Sequence, residues 1–212
     1  GVLIDTESSI TALWAEIFAG HDLHFTPAEI TRLTAGQRFE GVIRQLEAER
    51  GWRAPEDFLP MLDERFNRAF EDVPVIEGAA QTLAALEGAG IPFAVASNSQ
   101  HNRLFMKLEG AGLLPYFQGR AFDPSLTNRV GKPAPDLYLY AAKQLSVPVQ
   151  ECLVIEDSVP GIRAARAAGM GVLGFTGGGH WAHDRTGADL LAAGAERVLR
   201  GHRDLAPLVA AA

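Results

Sequence analysis

Apolar residues recur every three or four positions along the first third of the chain. Ile10, Leu13, Trp14, Ile17 and Phe18 form one such stripe and predict a helix over residues 7–20. Thr26-Pro27-Ala28-Glu29 combines a capping box with proline at the first helical position, so a second helix starts there, runs through Leu33 and stops near Gly36. Val42, Ile43 and Leu46 mark a third helix over 39–49, ended by Gly51. Leu59, Leu62, Phe66 and Phe70 mark a fourth over 58–72. Nothing in this block reads as a strand, so residues 7–74 predict an all-helical domain.

The pattern changes at Val73-Pro74-Val75-Ile76-Glu77-Gly78. From there, short apolar runs predict strands at 91–96, 117–122, 153–155, 171–175 and 197–199. They alternate with helical stretches at 79–86, 101–108, 135–145, 160–168, 186–192 and 204–210. Such alternation predicts a doubly wound, Rossmann-like α/β core with a parallel sheet and helices on both faces. The segment Gly1 to Glu7 reads as the exit of a strand or turn, and residues 1–6 belong with this core. The expected division is a core of 1–6 with 75–212 and an inserted helical block of 7–74.

Polar residues stand at three of the predicted strand or loop ends. Val154-Ile155 runs into two adjacent carboxylates, Glu156 and Asp157, and Ser158 and Pro160 then open a helix. Open α/β sheets place ligands at the carboxyl ends of their strands, and magnesium takes a few carboxylates together with phosphate and water. The same pair also suits capping of the following helix. Ser97 and Asn98 end the strand before them and can hold phosphate oxygens, or simply make a turn. Lys132 lies in Gly131-Lys132-Pro133-Ala134-Pro135, a stiff loop able to bring one ammonium to a phosphoryl group. Arg38 follows the second helix and is a candidate substrate contact; His180 and His183, beside Trp181, could line an entrance or bind a partner and read more simply as a surface loop.

Composition narrows the field. With 21% charged residues, 47% hydrophobic residues and a net charge of -7, the chain has an ordinary globular balance and no basic stripe for nucleic acid. No apolar stretch is long enough to span a bilayer, and no secretory signal is visible, so a cytoplasmic setting is expected. Cys152 is the single cysteine, which excludes an internal disulfide and a cysteine zinc cluster; it reads as a buried structural thiol.

Taken together, Val95-Ala96-Ser97-Asn98-Ser99, Gly131-Lys132-Pro133 and Val154-Ile155-Glu156-Asp157-Ser158 resemble the second, third and fourth motifs of the haloacid dehalogenase superfamily. The likeness is to its capped branch, which holds phosphatases and β-phosphoglucomutase, and it covers essentially the whole chain. Gly1-Val2-Leu3-Ile4-Asp5-Thr6-Glu7 resembles the tail of the first motif. The resemblance implies a magnesium-dependent phosphomonoester hydrolase of a small phosphorylated metabolite. Ser97, Asn98 and Lys132 would hold phosphate, Asp157 and Glu156 would serve the metal, and 7–74 would form the cap. It further implies an Asp-x-Asp immediately before Gly1, its first aspartate the nucleophile and its second the general acid/base. The chain as written is therefore expected to be incomplete and inactive without that segment.

Other readings remain. A mutase of the β-phosphoglucomutase type wants a histidine about where Ile10 stands. A haloacid dehalogenase needs no metal, against which the adjacent Glu156 and Asp157 speak. A phosphonate hydrolase wants a cap lysine, and no lysine lies between residues 7 and 74. A non-catalytic binding module is expected if the upstream Asp-x-Asp is missing.

Overall fold

Two units make up the computed structural model, which describes residues 1–34, 39–182 and 184–210. One is Thr6–Phe70; the other joins Gly1–Asp5 to Glu71–Ala212. In the first, α1 (Thr6–Ala19), α2 (Pro27–Thr34), α3 (Phe39–Arg50) and α4 (Phe58–Ala69) follow the predicted order. The capping box forms as its sequence dictates: Thr26 N and Oγ1 each donate to Glu29 Oε2 at 2.7 Å, and Glu29 N donates back to Thr26 Oγ1. Trp14 packs its ring between Phe18 and Phe66, with centroids 4.9 and 5.2 Å away, at the heart of this unit.

The second unit is α/β. Its elements are α5 (Ala79–Gly88), β1 (Val95–Ala96), α6 (His101–Gly110), β2 (Ala121–Phe122), α7 (Asp136–Leu145), β3 (Leu153–Glu156), α8 (Val159–Ala167), β4 (Gly171–Phe175), α9 (Ala188–Ala192), β5 (Val198–Leu199) and α10 (Ala206–Ala210). Every ladder between named strands is parallel. The single expected sheet is found as two pieces, β1-β2 and β3-β4-β5, with no ladder joining them among the described residues.

Side chains alternate across β4. Val172, with Val154, joins Ile162, Ala165 and Leu190 on one face. Leu173 and Phe175, with Ile155, join Leu199, Leu205 and Leu208 on the other. Both faces are thus covered, which is why these strands read as apolar runs.

Several predicted boundaries move, each for a local reason. The run 91–96 pairs only at Val95–Ala96, because Pro92 has no N–H and Ile91 N donates back to Leu86 O as α5 ends. The run 117–122 begins with a 3-10 turn, Leu114–Phe117, and pairs only at Ala121–Phe122. The segment before α1 makes one antiparallel bridge. Ile4 bridges antiparallel to Val75, with Ile76 N bonded to Leu3 O and Asp5 N to Pro74 O. Cys152 is half-buried rather than buried, and its thiol donates to Pro148 O at 3.4 Å; burial, with Glu151 nearby, pushes its pKa up and away from nucleophilic use.

His202 ties the two ends of this unit together. Its ring is 3% exposed, with Nε2 2.7 Å from Val2 O and Nδ1 3.1 Å from Thr82 Oγ1. A carbonyl can only accept, so Nε2 carries the proton and Nδ1 accepts from the Thr82 hydroxyl. Burial lowers the imidazole pKa below 6.5, against a smaller opposing effect of the Val2 carbonyl. The unfolded chain therefore takes up a proton that the folded one refuses. The stability contributed by neutral His202 is complete above pH 6.5 and is lost as pH falls toward the lower folded value. Urea unfolding between pH 7.5 and 5 should lose stability on acidification, and His202→Gln should show a shallower loss; equal slopes would refute the assignment.

Candidate active site

Parallel strands leave their carboxyl ends on one edge, and the three predicted motifs meet there through side-chain contacts. Asn98, after β1, clasps the Lys132 backbone twice. Its Nδ2 donates to Lys132 O at 3.0 Å, and its Oδ1 accepts from Lys132 N at 2.8 Å. Lys132 then reaches across to the end of β3, where Nζ donates to Glu156 Oε2 at 2.7 Å. Both side chains are buried, 9% and 7% exposed, so this is an interior ion pair rather than a solvated one. The Lys132 ammonium also lies 4.8 Å from the centre of the Tyr138 ring.

Glu156 points to the face covered by α7 and α8, as alternation from Val154 requires. Its Oε2 also accepts from Tyr138 Oη at 2.6 Å, while Oε1 accepts from Ser158 Oγ, Ser158 N and Asp157 N. The phenol stays a neutral donor, because burial first, and the neighbouring carboxylates next, push its pKa well above 10.0. Of the roles open to Glu156 from sequence, these bonds serve the support of Lys132 and of the turn that carries Asp157. The helix above must come very close: a Cβ at Gly161 would lie 2.0 Å from Glu156 Cδ. Gly161 N meanwhile donates to Ser158 Oγ, capping α8.

Asp157 keeps its carboxylate at the edge, 16% exposed, with Oδ2 3.2 Å from His180 Nε2. Burial works against its charge, while the His180 contact and the Lys132 ammonium favour it. Among the described residues no group of three His, Cys, Asp or Glu side chains could hold a metal ion. Of the two predicted carboxylates, Asp157 offers a hard oxygen donor at the edge, which fits magnesium as one member of a shell that phosphate and water complete. Both Glu156 oxygens already accept hydrogen bonds from the protein.

Ser97 sits half-buried at the end of β1, where its N donates to Phe122 O and its Oγ accepts from Ser99 N at 3.1 Å. The hydroxyl keeps its own proton free to donate. Arg38 and His183 lie outside the described residues.

Two partners escaped the sequence reading. Tyr138 lies in a helix and shows nothing but apolar spacing. The glycine-rich segment after β4, read as a surface loop, instead wraps Asp157: His180 faces its carboxylate, and Trp181 Nε1 donates to Asp157 O at 3.1 Å. The available signal was position, since this loop leaves a neighbouring strand at the same edge. The loop is also pinned by Gly179 N donating to Asp5 Oδ2 at 2.8 Å.

Comparison with known proteins places this arrangement. The haloacid dehalogenase-like hydrolase family model matches residues 1–169, and the chain belongs to that family. A solved HAD family hydrolase from Deinococcus radiodurans R1, with bound phosphate and sodium, superposes with a TM-score of 0.85 at 43% identity, covering 100% of this chain and 92% of that one. The 6-phosphogluconate phosphatase of Escherichia coli is 28% identical over 85% of this chain and 80% of its own length. The bifunctional riboflavin kinase/FMN phosphatase of Arabidopsis thaliana is 31% identical over 73% of this chain. The match spans 44% of that relative and 16% of another plant relative, so the chain corresponds to part of each. No helix among the described residues is long and apolar enough to cross a membrane.

Proposed function

We propose that this protein hydrolyses the phosphomonoester of a small phosphorylated metabolite through an aspartyl-phosphate, with the nucleophile and the acid/base aspartate on a segment preceding Gly1. The observation that carries the reading is the Asn98–Lys132–Glu156 linkage, which gathers one cation and one phosphate-type loop near the end of β3 that carries the edge carboxylate of Asp157. A HAD family hydrolase at 43% identity with bound phosphate supports it, as do relatives named as phosphatases.

In this reading Ser97 Oγ and Lys132 Nζ donate to phosphoryl oxygens, and Asn98 acts mainly by fixing the Lys132 backbone. Glu156 holds the ammonium in place, while Tyr138 and Ser158 hold Glu156. Asp157 would hold magnesium, which when bound supplies positive charge against the phosphoryl group. Trp181 and His180 set the Asp157 backbone and carboxylate. Most of the chain's work is alignment and charge neutralisation at a phosphoryl group, with no bond made to its own residues. The helical unit is read as the cap that selects the leaving group.

The test is a screen of phosphorylated sugars, sugar acids and nucleotides with full-length protein and magnesium, reading inorganic phosphate. Release that stops when EDTA is added is expected for at least one ester. No release from any, with the upstream Asp-x-Asp present, would sink the hydrolase reading and favour a binding module.

A further inference from the structure

Two groups that play no part in the scheme above face each other one strand away from Ser97. Asp123 follows β2 and is 1% exposed. Its Oδ1 accepts from Ser125 N at 2.9 Å, and its Oδ2 lies 2.8 Å from His101 Nδ1. Ala96 is in register with Phe122, and Ser97 N donates to Phe122 O at 3.0 Å. Asp123 therefore stands at the level of Ser97 on the next strand, about 4.8 Å of ladder spacing away. A carboxylate this deep is costly unless paired. Burial does oppose its charge, yet bonds from Ser125 and His101 hold its pKa below the ordinary value. Ionised, it can only accept, so His101 Nδ1 must donate.

The pair joins the two loops that make the phosphate grip. His101 opens α6, four residues after Ser97. Asp123 opens the segment that ends in Lys132, and that segment is stitched from Asp123 onward. Arg129 N donates to Pro124 O at 2.7 Å, and Thr127 Oγ1 to Val130 O at 2.6 Å. At its far end Asn98 closes the stitch on Lys132, so tightly that a Cβ on Gly131 would lie 2.7 Å from Asn98 Oδ1. One loop is thus fastened to the other at both ends, by His101–Asp123 and by Asn98–Lys132.

We infer that His101 and Asp123 are positioning residues that lock the Ser97 loop to the Lys132 loop, so that both sets of phosphate donors are held at one spacing. The kinetic consequence rests on the phosphatase reading; the bracing does not. In full-length protein, His101→Leu should lower kcat/KM and weaken inhibition by inorganic phosphate by a common factor of about ten. His101→Asn, whose Nδ2 stands where the imidazole Nδ1 stood, should recover most of both. Asp123→Asn should cost about as much as His101→Leu, and the double variant should lose less than the product of the two. Amide hydrogen exchange, which needs no turnover, should rise in His101→Leu at residues 97–100 and 124–132, with the strands of the α/β unit unchanged. Wild-type phosphate inhibition and wild-type exchange in His101→Leu would overturn the inference. So would a uniform rise across the unit, which signals a structural role alone. Local exchange changes in a protein that hydrolyses no ester would uphold the brace and defeat the phosphatase reading.

Discussion

Lys132→Met should lose both turnover and stability, which few single substitutions do. In the proposed function the ammonium donates to the phosphoryl group, and loss of such a preorganised charge lowers kcat by about 10²- to 10³-fold. The same substitution strands Glu156, 5% exposed, without its cation. Breaking a buried pair by removing one partner costs about 3 kcal/mol or more. Tyr138 and Ser158 still bond the remaining carboxylate, so the lower end of that range applies. Urea unfolding and phosphate release measured on one preparation check both. A second change, Glu156→Gln in the Lys132→Met background, should restore part of the stability and none of the turnover. Turnover recovered with Glu156→Gln would show that Lys132 acts only as a counter-ion.

Asp157→Asn is expected to separate these two effects. The shape is kept, and the backbone bonds of Asp157 to Glu156 and Trp181 are untouched. Stability should change by about 1 kcal/mol at most, since one charge-assisted contact with His180 is weakened. Catalysis should nevertheless fall by about 10²-fold or more at ordinary magnesium, and higher magnesium should recover a part of it. The readout is kcat against magnesium concentration for both proteins. An unchanged rate and an unchanged magnesium midpoint would remove Asp157 from the metal site. Set beside Lys132→Met, the pair distinguishes a residue whose charge is structural and catalytic from one whose charge is catalytic alone.

The helices were legible because their stripes and stops are local. Thr26-Pro27-Ala28-Glu29 forms the predicted box, and Gly171–Phe175 is a strand from end to end. The three motif loops were legible for a similar reason, since strand ends announce themselves by an apolar run that stops at a polar residue. Ser97 and Asp157 were named from that signal, and Lys132 from the stiff proline-flanked loop that presents it. Strand lengths were less legible. Apolar residues at 91–94 satisfy the pattern, but a strand exists only where a neighbour supplies hydrogen-bond partners, and Arg120 and Phe122 supply them only at Val95 and Ser97.

The sequence by itself determined which residues alternate, where helices start and stop, and which polar groups close the strands, because each depends on neighbours within a few positions. Tertiary structure alone decided what those polar groups do. Glu156 and Asp157 are adjacent in sequence and alike in chemistry, yet successive side chains at a strand end face opposite ways. One is turned inward onto Lys132 and Tyr138, and the other is left at the edge beside His180. The jobs of Asn98, Tyr138, His101 and Asp123 were likewise settled by partners that lie 34, 18 and 22 positions away, distances that no local pattern encodes.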